Sequence, residues 1–74
     1  MPRLPVVSGI KAVKALSKLG FEVDHQTGSH IIMRHNQDPH RRLTVPNHKE
    51  LAKGTLRAII RDAGITVEEF IDLL

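Results

Sequence analysis

The sequence predicts an α+β fold: a three-stranded antiparallel sheet with helices packed on one face, in the order α-β-β-β-α-α. Two observations carry this expectation. Along the 74 residues the apolar spacing is first helical, then alternating, then helical again. The connections between the alternating stretches are too short for parallel crossovers, so the strands form a meander. Two amphipathic helices must then share one sheet face, because nothing else in the chain can bury them, and the other face is left open. A chain of this length is expected to form one domain over residues 1–74. Its core is thin, burying roughly 60% of the surface exposed by the unfolded form.

Each element has a local cause. Residues 1–7 are a lead-in punctuated by Pro2 and Pro5. Ser8 is a good N-cap, and Ile10, Val13, Leu16 and Leu19, with Ala12 and Ala15 beside them, give helical spacing over residues 9–19. Gly20 can take the left-handed turn that stops the helix. Phe21 and Val23 then alternate with Glu22 and Asp24, as in a half-buried strand. Thr27-Gly28 signals a turn. Residues 29–35 form the second strand, with Ile31 and Met33 inward and His30, Ile32 and Arg34 outward. A loop of turn formers, Asn36-Gln37-Asp38-Pro39, precedes a third strand over residues 41–45. Leu43 and Val45 point inward there, Arg42 and Thr44 outward, and Pro46 closes the strand. After a polar connector over residues 47–54, Leu56, Ile59, Ile60 and Ala63 define one face of a helix over residues 55–63, ended by Gly64. Thr66-Val67-Glu68-Glu69 matches a capping box and opens a short last helix with Phe70, Ile71 and Leu74 for packing.

Composition excludes several function classes. There is no cysteine, so neither disulfides nor thiolate metal ligands are possible, which fits a reducing cytoplasm. No apolar run is long enough to span a membrane, and the N-terminus lacks the apolar core of a signal peptide. The charge is uneven. Residues 1–61 hold all eleven Lys and Arg and four of the eight acids, a net of +7; the other four acids, Asp62, Glu68, Glu69 and Asp72, meet no basic residue after them. A basic body with an acidic end suggests a polyanion-binding surface. With Phe21 and Phe70 the only aromatics, a base-stacking platform is not expected.

Basic residues fall in rows. Lys11, Lys14 and Lys18 share one side of the first helix, and Lys53, Arg57 and Arg61 one side of the second. With Arg34, Arg41 and Arg42 on or near the sheet, these rows suit a continuous set of phosphate contacts. Each row alone also fits a solvated helix face. Five histidines, His25, His30, His35, His40 and His48, raise the question of zinc, but they fall on strands and loops without an HExxH pattern, and His30 and His35 lie on opposite strand faces. No metal or cofactor is expected. His30 differs from the others in directly following Gly28-Ser29 and facing outward with Arg34. An imidazole can take and return a proton near neutral pH. RNA cleavage needs no metal if a base deprotonates the 2′-hydroxyl and cations stabilise the crowded phosphate. A surface histidine bonded to water is the plainer alternative. Ser29 is no hydrolase nucleophile, because neighbouring strand residues point oppositely. Gly28 serves the turn, and Gly54-Thr55 at a helix start is either an anion seat or only a helix start.

The ordered set Val13-Lys14-Ala15-Leu16, Leu19-Gly20-Phe21-Glu22-Val23, Gly28-Ser29-His30, Met33-Arg34-His35, Val45-Pro46-Asn47-His48, Lys53-Gly54-Thr55-Leu56-Arg57 and Ile59 to Ile65 resembles the HicA (YcfA-like) family of bacterial and archaeal toxins. The resemblance covers nearly the whole chain. It implies a fold like a double-stranded-RNA-binding domain and an endoribonuclease that cleaves mRNA, on or off the ribosome, and is neutralised by a HicB antitoxin. It places the catalytic histidine on His30, and matches His48 to a recurrent histidine that we expect to shape the connector. Ile32 stands where many relatives carry a polar residue, so the antitoxin is its expected contact. The alternatives are a non-catalytic double-stranded-RNA-binding module using the same rows and a protein-interaction domain using the open sheet face.

Overall fold

A computed structural model describes residues 3–74 of the chain and has the expected α+β order. Helix α1 spans Gly9–Ser17, strands β1, β2 and β3 span Phe21–Thr27, His30–His35 and Arg42–Pro46, and helices α2 and α3 span Lys53–Ala63 and Val67–Leu73. The strands form one antiparallel sheet in the order β1-β2-β3, leaving β2 central. Ala12, Ala15 and Leu16 of α1 and Leu56, Ile59, Ile60 and Ala63 of α2 join Ile31, Met33, Leu43 and Val45 in a single core. Phe70, fully buried, brings in α3. The inward and outward residues of β2 and β3 fall as alternation predicts.

The termini of the elements differ from the periodicity by one or two residues, for identifiable reasons. Helix α1 stops at Ser17 because the N–H groups of Lys18, Leu19 and Gly20 bond carbonyls three residues back, a tightened last turn. Strand β2 begins at His30, not Ser29, because Gly28 and Ser29 form the turn. Arg41 stays outside β3: its N–H bonds the Asp38 carbonyl and its guanidinium caps the C-terminal end of α2 through the Ala63 carbonyl at 3.0 Å. Pro46 is instead the last residue of β3, which an edge strand tolerates. Helix α2 starts two residues early, at Lys53, because Leu51 is buried and its N–H is tied to the Val7 carbonyl, so the connector ends sooner.

Four apolar residues expected to pack do not. Ile10 is 45% exposed: a repeat of every three residues falls about 60° short of a turn at each step, so the row 10, 13, 16, 19 drifts off the buried face. Val23, 53% exposed, lies on edge strand β1 beyond the helical cover. Helix α3 has room for one buried face, filled by Phe70 and Leu73, and Ile71 and Leu74 remain exposed.

One close approach fixes the end of the sheet that matters below. A Cβ on Gly9 would overlap the Pro46 carbonyl oxygen. Without it, the Gly9 N–H reaches the His48 carbonyl at 2.9 Å, locking the start of α1 to the end of β3.

Candidate functional site

His30 is the first residue of the central strand, and the turn before it determines how it is held. Gly28 has φ +58°, a left-handed conformation that side-chain-bearing residues seldom adopt, and its carbonyl accepts the Gln26 side-chain amide at 3.1 Å. The Ser29 carbonyl accepts the Asn47 N–H at 2.6 Å. Gly28 and Ser29 thus act through their backbones. His30 pairs with Thr27 on β1 and Pro46 on β3, and its side chain is exposed on the face away from the helices.

A depression of about 540 Å³ runs from His30 around the β3 edge to α2, with Arg42 and Thr44 on the sheet side and Gly54, Thr55 and Asp62 on the helix side. The N-cap of α2 is Ala52, which offers no side-chain acceptor. The first-turn N–H groups of α2 therefore lack a capping partner, and they carry the positive end of the helix dipole. Gly54 leaves the backbone bare there, with nothing within 4 Å of where a Cβ would stand. An anion in this depression would meet Arg42, His30 and the start of a helix together.

The open face holds a second group that alternation does not reveal. Strand β1 carries a bulge: Val23 pairs with Met33 and His25 with Ile32, so Asp24 is the extra residue. Counting alternately from Phe21 puts His25 on the core side; the bulge turns it to the open side. The sheet face then reads, strand by strand, Thr27–His30–Pro46, His25–Ile32–Thr44 and Glu22–Arg34–Arg42. His25 Nδ1 donates to the Asp24 carboxylate at 2.8 Å, and Arg34 approaches the same oxygen at 3.5 Å. The bond from His25, with the charges of Arg34, His25 and Arg42, outweighs the opposing desolvation and holds the Asp24 carboxyl below its ordinary value of 3.8. Val23-Asp24-His25 contains no glycine to mark the bulge.

The other histidines have different duties. His35 lies edge-on to Phe21, ring centroids 4.9 Å apart; its Nε2–H donates to the Leu19 carbonyl at 2.9 Å while Nδ1 accepts the Gln37 N–H at 3.2 Å. Both nitrogens are spent on joining the α1–β1 turn to the β2–β3 loop. His40 is exposed in that loop. The His48 side chain is exposed too, and the connector is held by its backbone carbonyl, a bond any residue could supply.

The basic rows do not form one continuous surface. Lys11, Lys14 and Lys18 line a separate groove of about 370 Å³ with Val6 and Leu74, in the helical layer behind the sheet, and Lys18 donates to the Leu73 carbonyl at 2.8 Å. Lys53, Arg57 and Arg61 are exposed on α2, but the residues of that helix that turn to the depression are Gly54, Thr55, Ala58, Ile59 and Asp62. Arg34 and Arg42 are the cations that share the sheet face with His30. Ile32 is half-buried between His25 and Thr44 rather than fully exposed. Among the described residues no helix is long and apolar enough to cross a membrane.

No curated protein gives a significant match to the chain. A family model described as "HicA toxin of bacterial toxin-antitoxin" matches residues 10–65, well over half of the 74. The matched stretch runs from α1 to just beyond α2 and includes the whole sheet, the turn before His30 and the depression beside it. The chain therefore belongs to the HicA toxin family of bacterial toxin–antitoxin systems.

Proposed function

We propose that this toxin is an endoribonuclease that cleaves mRNA in the cytoplasm with His30 as general base, and that a HicB-type antitoxin silences it by covering the open sheet face. The observation that carries the reading is the placement of His30: an exposed imidazole on the helix-free face, in a depression shared with Arg42 and the uncapped start of α2.

The chemistry follows from those groups. The start of α2, with its N–H groups and helix dipole, holds a phosphate that neighbours the scissile one, which lies beside His30 on the open face. His30 takes the proton of the adjacent 2′-hydroxyl, whose oxygen attacks phosphorus. Arg42 and Arg34 offset the charge that accumulates on the non-bridging oxygens. The products are a 2′,3′-cyclic phosphate, or its hydrolysis product, and a 5′-hydroxyl. Gly28 and Ser29 hold His30 in register, His48 holds the connector, and the rows Lys11/Lys14/Lys18 and Lys53/Arg57/Arg61 draw in the RNA backbone without reading sequence.

The test is incubation of folded RNA with wild type and His30→Ala, with and without EDTA. Cleavage by wild type that survives EDTA and disappears in the variant, while RNA binding persists, is expected. Binding without cleavage by wild type would replace the enzyme with a double-stranded-RNA-binding module. Loss of cleavage in EDTA, restored by a divalent ion, would replace the metal-free mechanism.

A further inference from the structure

The proposed reaction needs a second proton transfer. When the 2′-oxygen attacks, the bond from phosphorus to the 5′-oxygen breaks, and a 5′-alkoxide is a poor leaving group unless it is protonated as it departs. His30 has just accepted a proton on the 2′-side. The 5′-oxygen leaves from the opposite side of the phosphorus, so a different group must serve it.

The β1 bulge supplies one. His25 faces the same side of the sheet as His30 and is its diagonal neighbour, since His30 pairs with Thr27 and His25 lies two residues from Thr27 on the same strand. Diagonal neighbours stand about 7–8 Å apart between strands, within reach of long or ring side chains. That span leaves room for a phosphodiester between the two rings. The His25 ring is also oriented. Its Nδ1–H is held by the Asp24 carboxylate at 2.8 Å, which leaves Nε2 at the outer end of the ring. Asp24 is in turn held by Arg34 at 3.5 Å. A carboxylate behind one ring nitrogen fixes the ring's orientation and leaves the other nitrogen to carry the proton that is transferred. Ile32, paired with His25 and two residues from His30 on the same face of β2, lends an apolar surface beside them.

We infer that His25 is the general acid of this toxin, protonating the departing 5′-oxygen, with Asp24 as its positioning residue. The inference rests on the ribonuclease reading of His30. The step balances: His30 gains the 2′-proton, the P–O2′ bond forms, the P–O5′ bond breaks, and Nε2 of His25 gives its proton to O5′. Hydrolysis of the cyclic phosphate runs the roles in reverse, neutral His25 taking a proton from water and His30 returning its own to the 2′-oxygen. The charged and titratable groups facing His25 are Asp24 and Glu22 on its own strand, His30 and Arg34 on β2 and Arg42 on β3; the helices pack on the opposite face.

The experiment compares two substrates: an RNA that wild type cuts, and the same RNA with sulfur replacing the bridging 5′-oxygen at the scissile linkage. A thiolate leaves without a proton. His25→Ala and His25→Gln should lose about 10²-fold or more on the oxygen substrate and cut the sulfur substrate near the wild-type rate. His30→Ala should be defective on both. Asp24→Asn should show a smaller loss on oxygen only, with the alkaline limb of its pH–rate profile displaced. Wild-type RNA affinity and circular dichroism in the His25 variants show that the fold is intact. If wild type cuts RNA and the His25 variants cut the oxygen substrate equally well, or lose the same factor on both substrates, the assignment of His25 is overturned and that of His30 stands. If wild type cuts neither RNA, the ribonuclease reading falls and His25 with it.

Discussion

Single residues divide here into those that act through side chains and those that act through the space they leave. His30 belongs to the first kind. Its side chain is exposed, and such substitutions usually change stability by within about 0.5 kcal/mol. His30→Ala is therefore expected to lose 10²- to 10⁴-fold in RNA cleavage, the usual scale for a general base, at an unchanged urea midpoint; growth arrest at wild-type expression would remove His30 from the mechanism. Gly9 belongs to the second kind. A methyl there meets a backbone oxygen, which cannot swing away as a side chain could. Gly9→Ala should cost about 1–3 kcal/mol, the range for overpacking, read from denaturant unfolding, despite alanine's better helix propensity. Asp24 shows how a surface carboxylate makes stability depend on pH. Its folded pKa is depressed by His25 and the arginines, so its contribution is present above the unfolded value and lost as pH falls through the folded one. Asp24→Asn should flatten the decline in urea midpoint below about pH 4, and added salt should shrink the difference because the group is solvent-screened. Equal slopes for the two proteins would show that the ion pair with His25 does not persist in solution.

At the scale of elements, the sheet and the helices carry different parts of the proposed function. Strands β2 and β3 present His30 and Arg42 to the depression that meets the uncapped N-terminus of α2, and His25 and Arg34 lie further across the open face. Helix α1 presents its lysines elsewhere, beside the C-terminal turn of α3. This division predicts unequal salt behaviour. Replacing Lys53, Arg57 and Arg61 by glutamine should flatten log K against log salt by just under one unit per lost phosphate contact, as for duplex DNA. Replacing Lys11, Lys14 and Lys18 should change the slope less. Equal flattening would mean that RNA wraps the helical layer as well as the β3 edge.

At the scale of the whole molecule, the toxin has one covered sheet face and one open one, and inhibition should exploit the open one. A HicB-type antitoxin laid over β2 would cover His30, His25 and Arg34 together, and half-buried Ile32 would give it an apolar contact at the centre. The basic body would raise the association rate of an acidic partner more than it would strengthen the complex. Binding of the antitoxin is expected to slow hydrogen exchange across residues 28–34, and Ile32→Lys to weaken the complex more than it weakens RNA cleavage. Equal loss of both would mean that Ile32 supports the sheet itself. Unchanged exchange on β2 in an inhibited complex would place the antitoxin elsewhere, the acidic α3 being the other charged surface.

Much of this was determined by sequence alone. Local rules set the element order: apolar period decides helix or strand, Ser8 caps α1, Thr66 and Glu69 cap α3 reciprocally, and Gly64 at φ +76° ends α2. They also set the outward face of His30, because β2 and β3 alternate without interruption between turn residues. Other features depend on residues far apart in the chain. The β1 bulge arises from pairing with β2, and no residue within Val23-Asp24-His25 announces it, so His25 and Asp24 joined the open face only once the sheet was built. The need for glycine at position 9 comes from Pro46, and the caps of His35 and Arg41 from carbonyls 16 and 22 residues away. The division of the basic rows was likewise a tertiary outcome. Spacing of three and four places lysines on one side of a helix, but only the packing of α1 and α2 on the same sheet face decides which way that side looks.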